Sequence, residues 1–244
     1  MITYMVLGQY PIKIYNTGST EGHFNTLKAR PGQVRRGERC LTVLLGKLKS
    51  EGGLDEGLPV VELFGGIGRF STVLHYLVKP LYHIILEKSP HLAEHLIRHT
   101  CGWKGARVKQ ADSFQTDLNR MKFGLKDAFV SLDFDKFTLK QLTRVSPGGV
   151  LFKQVLGAGP KYVCLTDTSI SKVHLLFAEY TSMLKAGKIE SMDGYVSQMS
   201  RLVFGGTKYF IRYWTNHSGA SYFLFERGLR FRSPQYLGRV NAKG

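Results

Sequence analysis

Acidic residues are scarce in this 244-residue chain: 18 Asp and Glu stand against 34 Lys and Arg, a formal charge of +16. So one-sided a balance argues against cationic partners and for polyanionic ones, because neutralising phosphates releases counterions. Cysteine is scarcer still. Cys40, Cys101 and Cys164 are odd in number, far apart and without C-x-x-C spacing, which argues against a disulfide framework and a zinc knuckle. No apolar run nears the ~18 residues that cross a bilayer, and no basic amphipathic helix with an exposed apolar face stands out. Met1-Ile2-Thr3-Tyr4-Met5 lacks the features of a signal peptide. A reduced, intracellular protein with no membrane partner is expected, cytoplasmic or nucleoid-associated. There is no Gly-Lys-Ser/Thr phosphate loop, no internal repeat and no low-complexity tract.

What is present begins at Val60-Val61-Glu62-Leu63-Phe64-Gly65-Gly66-Ile67-Gly68, a short apolar strand that breaks into a glycine-rich turn. Phe70, Val73, Leu74 and Leu77 then recur at helical spacing. Glycines at a strand-to-helix turn let the backbone approach a ligand that a Cβ would block, so a nucleotide-like moiety is expected there. Further strands are expected at Tyr82–Glu87, Arg107–Gln110, Ala128–Phe134 and Val150–Val155. Helices fall between them: Ser89-Pro90 reads as a start, Thr138-Leu139-Lys140-Gln141 as a capping box, and Ser146-Pro147-Gly148-Gly149 as a stop. Successive βα units predict a parallel sheet with helices on both faces.

Later, Ile170–Leu184 and Tyr195–Val203 carry helical periodicity. Two aromatic strands, Lys208–Trp214 and Ser221–Glu226, are joined by the short polar link Thr215–Gly219 and read as a hairpin. Before the core, Tyr10–Tyr15 suggests a strand and Leu41–Leu48 a helix packed on the sheet, with a long loop from Asn16 to Arg39 between them. Lys28–Arg39 in that loop and the tail Arg227–Lys243 both mix cations with flexible or aromatic residues, which suits unpaired nucleic acid. The division expected is a basic N-terminal segment (1–58), a core domain (59–226) and a basic tail (227–244).

In this order the signals resemble the class I S-adenosylmethionine-dependent methyltransferases over roughly Pro59 to Glu226. The resemblance implies an α/β, Rossmann-like fold: a seven-stranded, mostly parallel sheet with an antiparallel last strand and helices on both faces. It implies S-adenosyl-L-methionine as cofactor, held by Glu62, Phe64, Gly65, Gly66 and Gly68 at the turn. Glu87, 19 residues after Gly68, would take the ribose hydroxyls with Lys88 beside it, and Asp112 with Ser113 would lie near the adenine. Asp133-Phe134-Asp135-Lys136-Phe137 falls at the end of the fourth strand, where the family contacts its acceptor. Asp133 is the first expected catalytic residue and Asp135 the second, with Phe134 or Phe137 stacking on a base. The common Asp/Asn-Pro-Pro-Tyr/Phe of nucleic-acid amino-methyltransferases is absent there. The Asp-x-Asp-x-Phe spacing is closer to enzymes that methylate the N2 amine of guanine in transfer RNA.

Gly66-Ile67-Gly68 with Glu87 also nearly matches a dinucleotide fingerprint, but that fold has no need of Asp133-Phe134-Asp135 or a final hairpin. His91, His95 and His99 share one helix face and read as solvated, with no metal expected. Tyr209, Tyr213 and Trp214 read as sheet core. Two functions of different class follow. One is methyl transfer to a nucleic-acid base, most simply an exocyclic amine of DNA or RNA. The other is a non-catalytic module of the same fold that binds nucleic acid or a protein.

Overall fold

In the computed structural model of the chain, the described residues are 2–7, 10–15, 31–118, 124–135, 147–168, 182–188, 190–217 and 220–241. Strands β1 (Ile2–Leu7) and β2 (Tyr10–Tyr15) form a separate antiparallel hairpin. The main sheet contains β3 (Val60–Leu63), β4 (His83–Glu87), β5 (Ala106–Gln110), β6 (Phe129–Asp135), β7 (Tyr162–Thr168), β8 (Tyr209–His217), β9 (Ala220–Arg227) and β10 (Gln235–Arg239). Its order is β5-β4-β3-β6-β7-β9-β8-β10, and within it β9 alone is reversed.

Helices α1 (Pro31–Ser50), α2 (Arg69–Val78), α3 (Pro90–His99), α4 (Pro147–Gly157) and α5 (Met192–Gly206) accompany the sheet. Alternation along each strand divides the core. Val60, Phe129, Tyr162 and Leu224 meet Leu41, Leu44 and Leu48 of α1 and Val73 and Leu74 of α2. Val61, Val130, Val163 and Phe223 meet Phe152 and Val155 of α4 and Tyr195 and Val196 of α5. Burial on both faces explains why the central strands read as apolar runs rather than alternating ones.

Several expectations change. Residues 150–155 are not the fifth strand; they lie inside α4. An apolar run of six cannot by itself separate strand from helix. Burial of Gly149, Phe152 and Leu156, with exposed Lys153 between, follows the helical period. Pro147 therefore opens a helix rather than closing one, as Pro90 does at α3. The fifth parallel strand is β7, Tyr162–Thr168. The sheet has eight strands, not seven, because residues 235–239 of the basic tail add β10 beside β8. Residues 31–39 of the expected basic loop are the first turns of α1. The hairpin strands run to His217 and from Ala220, leaving a link of residues 218–219 outside the described residues. Also outside them lie the capping box at 138–141 and residues 170–181 of the expected long helix. Tyr209, Tyr213 and Trp214 are buried in the sheet as expected.

Candidate functional site

The parallel strands deliver their C-terminal ends to one edge, and the turn after β3 lies at its centre. Gly65 is there because β4 and α3 press on it: a Cβ would lie 2.4 Å from Ile85 Cγ2 and 2.9 Å from Leu96 Cδ1. Gly68, at φ 82°, would push a Cβ to 2.8 Å from the His99 ring. A Cβ at Gly66 would meet nothing within 4 Å. Of the three glycines, two close the packing of strand, turn and helices, and Gly66 alone faces open space. Phe64, a non-glycine residue at φ 70°, stays in the left-handed region, a strain that concentrates at functional sites.

Gly68→Ala combines that φ with the clash on His99 and Leu96. Overpacking of this kind costs about 2 kcal/mol. Thermal melting of the variant is expected ~4–8 °C below wild type for a domain of this size.

Glu87 points into the turn. Its Oε2 accepts from the Gly66 backbone N–H at 2.8 Å and its Oε1 from that of Ser89 at 2.8 Å. The carboxylate is buried, so it clamps the turn to the end of β4 and keeps further lone pairs for a ligand. Lys88 Nζ lies 2.9 Å from Asp112 Oδ2, and Asp112 Oδ1 accepts from the Phe114 N–H at 3.0 Å. The Lys88 hydrogen bond holds the Asp112 carboxyl below its ordinary range. Ser113 is buried beside them. The Phe114 ring, 47% exposed, meets Phe64 at 5.2 Å between centroids. Sequence reasoning passed over Phe114; its signal was an aromatic two residues beyond an acid at a strand end.

Glu62 takes a different position from Glu87. It lies beneath the turn, accepting from Ser71 Oγ at 2.5 Å and 3.5 Å from His83 Nε2. Burial pushes its carboxyl up to about 8, with Ser71 opposing and the Glu87 charge adding. It supports the floor of the turn rather than its open side.

The histidines of α3 are not a solvated row. His91 is exposed, but His95 is buried and hydrogen-bonds the Ile67 backbone, while His99 Nε2 lies 2.9 Å from Thr72 Oγ1. His99 packs on Trp103, which stacks on His75, itself stacked toward His83. Their role is to hold the glycine turn against α2 and α3. No group of three metal-ligating side chains occurs among the described residues.

Burial lowers His83 to about 3 and His75 to about 4, from 6.5. Both rings are neutral in the folded chain and protonated in the unfolded one below pH 6.5. Their contribution is therefore complete above that pH and is lost as pH falls toward 4. Glu62, raised from 4.5 to about 8, works oppositely: its contribution is complete below pH 4.5 and lost as pH rises to 8. His95 and His217 are lowered in the same direction, so the rings outweigh the one carboxyl and urea titrations should show stability falling as pH drops from 6.5 to 4.5. A flat profile there would contradict it.

Asp133 is half-buried at the end of β6, on the face that meets α1 and α2. Register places it in one cross-strand row with Thr166, Tyr222 and Thr215. After burial itself, its charge further raises the pKa of the Cys164 thiol and of the Tyr222 hydroxyl. The Phe134 and Asp135 side chains, and all of Phe137, lie outside the described residues. A cavity of 820 Å³ lined by Phe152, Leu156, Leu202, Lys208 and Arg227 lies at the opposite pole and contains none of the expected site residues.

No protein-family model matches the chain, and no curated protein does. Solved structures do. The 23S rRNA methyltransferase ErmE superposes with a TM-score of 0.50 at 14% identity, over 77% of this chain and 68% of that one. The small RNA methyltransferase HEN1 gives 0.51 at 11% identity over 81% of this chain, which spans only 26% of HEN1. TYW2 of M. jannaschii, in complex with AdoMet, gives 0.48 at 14% identity over 93% of this chain and 86% of that one. At such identities the likeness is one of fold. The likeness to ErmE and HEN1, with the order β5-β4-β3-β6-β7-β9-β8 and the reversed β9, gives the chain the fold of the class I S-adenosylmethionine-dependent methyltransferases.

Proposed function

We propose that the protein is an S-adenosylmethionine-dependent methyltransferase acting on a nucleic-acid base, most simply an exocyclic amine. The observation that carries the reading is the Glu87 clamp: a buried carboxylate holding the Gly66 N–H at 2.8 Å, beside the glycine with open space above it. That arrangement fits an adenosine-bearing donor. The ribose hydroxyls would donate to Glu87, and the adenine would lie against Phe64 and Phe114 near Asp112, Ser113 and Lys88. Glu62 and Gly65 would act from below, and Gly68 by bringing α2 close.

The donor supplies a sulfonium-bound methyl group; transfer is an in-line displacement, so the protein's task is positioning. Asp133, half-buried at the strand end, would accept hydrogen bonds from an acceptor amine and aim its lone pair. Asp135, Phe134 and Phe137 belong to the same proposal as a second acid and base-stacking rings. A base must leave its stack to reach such a site, and the +16 charge supports a phosphate-rich substrate. That ErmE and HEN1 act on RNA favours RNA over DNA. The basic segments Lys28–Arg39 and Arg227–Lys243 would hold it.

Incubation with tritiated-methyl donor and separate pools of RNA and DNA tests the reading. Labelled amino-methylated nucleosides from RNA are expected. A chain that binds donor and nucleic acid yet labels neither pool is a binding module, and the enzymatic reading then fails.

A further inference from the structure

Two basic segments far apart in sequence meet in the fold. Arg39 of α1 donates from Nη1 to the Asn241 carbonyl at 3.3 Å, joining the N-terminal helix to the tail. Arg239 pairs in register with Asn216 at the C-terminal end of β8. Arg36 and Arg239 both lie near enough to His217 that their charges add to burial in pushing that imidazole down to about 4. Beside them Tyr236 stacks on Trp214 at 4.2 Å and donates to Asn216 Oδ1 at 2.9 Å. Glu38 is buried 4.0 Å from Arg69, and Asp193 of α5 acts on the Tyr236 hydroxyl.

We infer that Arg36, Arg39 and Arg239 form one phosphate-binding surface, and that an unpaired nucleic-acid strand runs from it across the C-terminal strand ends to Asp133. The inference rests on the nucleic-acid reading above and gives it a path. The ends of β8 and β10 lie on the same edge as the end of β6, because all three strands run parallel. Four strand spacings separate β10 from β6. At ~4.8 Å each that is about 19 Å. A stacked strand rising ~3.4 Å per nucleotide covers it in about six steps. The bound strand therefore extends about six nucleotides to one side of the methylated base. A duplex would first have to extrude its target base, so an unpaired strand meets the requirement at lower cost.

Binding of a 20-nucleotide mixed-sequence single strand, as RNA and as DNA, is measured by fluorescence anisotropy over a range of salt, with S-adenosylhomocysteine present. The wild-type chain is compared with Arg39→Glu/Arg239→Glu and with Lys153→Glu, which alters the far pole. Since Arg39 also bonds the tail, Arg239→Glu alone is measured beside the pair. The proposal expects a steep wild-type salt slope that the double variant lowers by about 1.4, and the single variant by about 0.7. Affinity near 0.15 M salt falls at least tenfold in the double variant, with Lys153→Glu unchanged. A steep wild-type slope that neither arginine variant alters overturns this surface and leaves the nucleic-acid reading standing. Salt-insensitive or absent wild-type binding to both strands overturns that reading, and the surface with it.

Discussion

Glu87→Ala is expected to bind S-adenosylmethionine at least 100-fold more weakly than the wild-type chain in a calorimetric titration. The carboxylate has two tasks. It accepts the Gly66 and Ser89 N–H groups at 2.8 Å each, which fixes the open side of the turn, and its remaining lone pairs face the expected ribose. Hydrogen bonds to a charged group contribute ~1.5–3 kcal/mol each, and two of them lost correspond to 3 kcal/mol or more, beyond a hundredfold in affinity. Glu87→Gln keeps the shape and one acceptor oxygen, so its affinity should fall between the two. Equal affinity in wild type and Glu87→Ala would remove the donor from this turn.

The second large effect is expected at Asp133. Asp133→Ala should leave donor affinity within about twofold of wild type, because Asp133 takes no part in the hydrogen bonds from Gly66 and Ser89 to Glu87 that fix the turn. Its kcat at saturating donor and RNA should fall by ~10²–10³, the usual loss when one preorganised hydrogen-bonding group is removed from a reacting centre. Asp133→Asn should recover little, since its amide can still accept but also presents N–H groups toward the amine. Unchanged kcat in Asp133→Ala would move the acceptor contact elsewhere.

The parts of this architecture set by local pattern were legible in the sequence. The acid–glycine turn, the strand ending in Glu87 and the aromatic hairpin each rest on a few contiguous residues, and all three occupy their expected places. Residues 150–155 were misread because a buried helix and a buried strand present the same short apolar run. β7 was missed because Tyr162–Thr168 carries Cys, Thr and Asp among its apolar residues, and only pairing with β6 and β9 makes it a strand. β10 has weak strand character of its own and exists by pairing with β8.

The site was legible where chemistry is written in one side chain and illegible where it depends on neighbours. Glu62 and Glu87 are both acids at strand ends. Only the fold distinguishes the one beneath the turn, beside Ser71 and His83, from the one that grips Gly66. His95 and His99 share a helix face, and that face turns inward onto Ile67 and Thr72 rather than to water. Convergence of Arg39 with Asn241 joins residues 202 positions apart, which no local pattern can signal.

A crystal structure of the full chain grown with S-adenosylhomocysteine would put the donor site to its plainest trial. Adenosine density should cover Gly66, both ribose hydroxyls should lie within hydrogen-bonding distance of the carboxylate at 87, and the base should rest against the rings at 64 and 114. Ligand bound at another edge of the sheet, or a turn that closes over Gly66 and admits none, would contradict it.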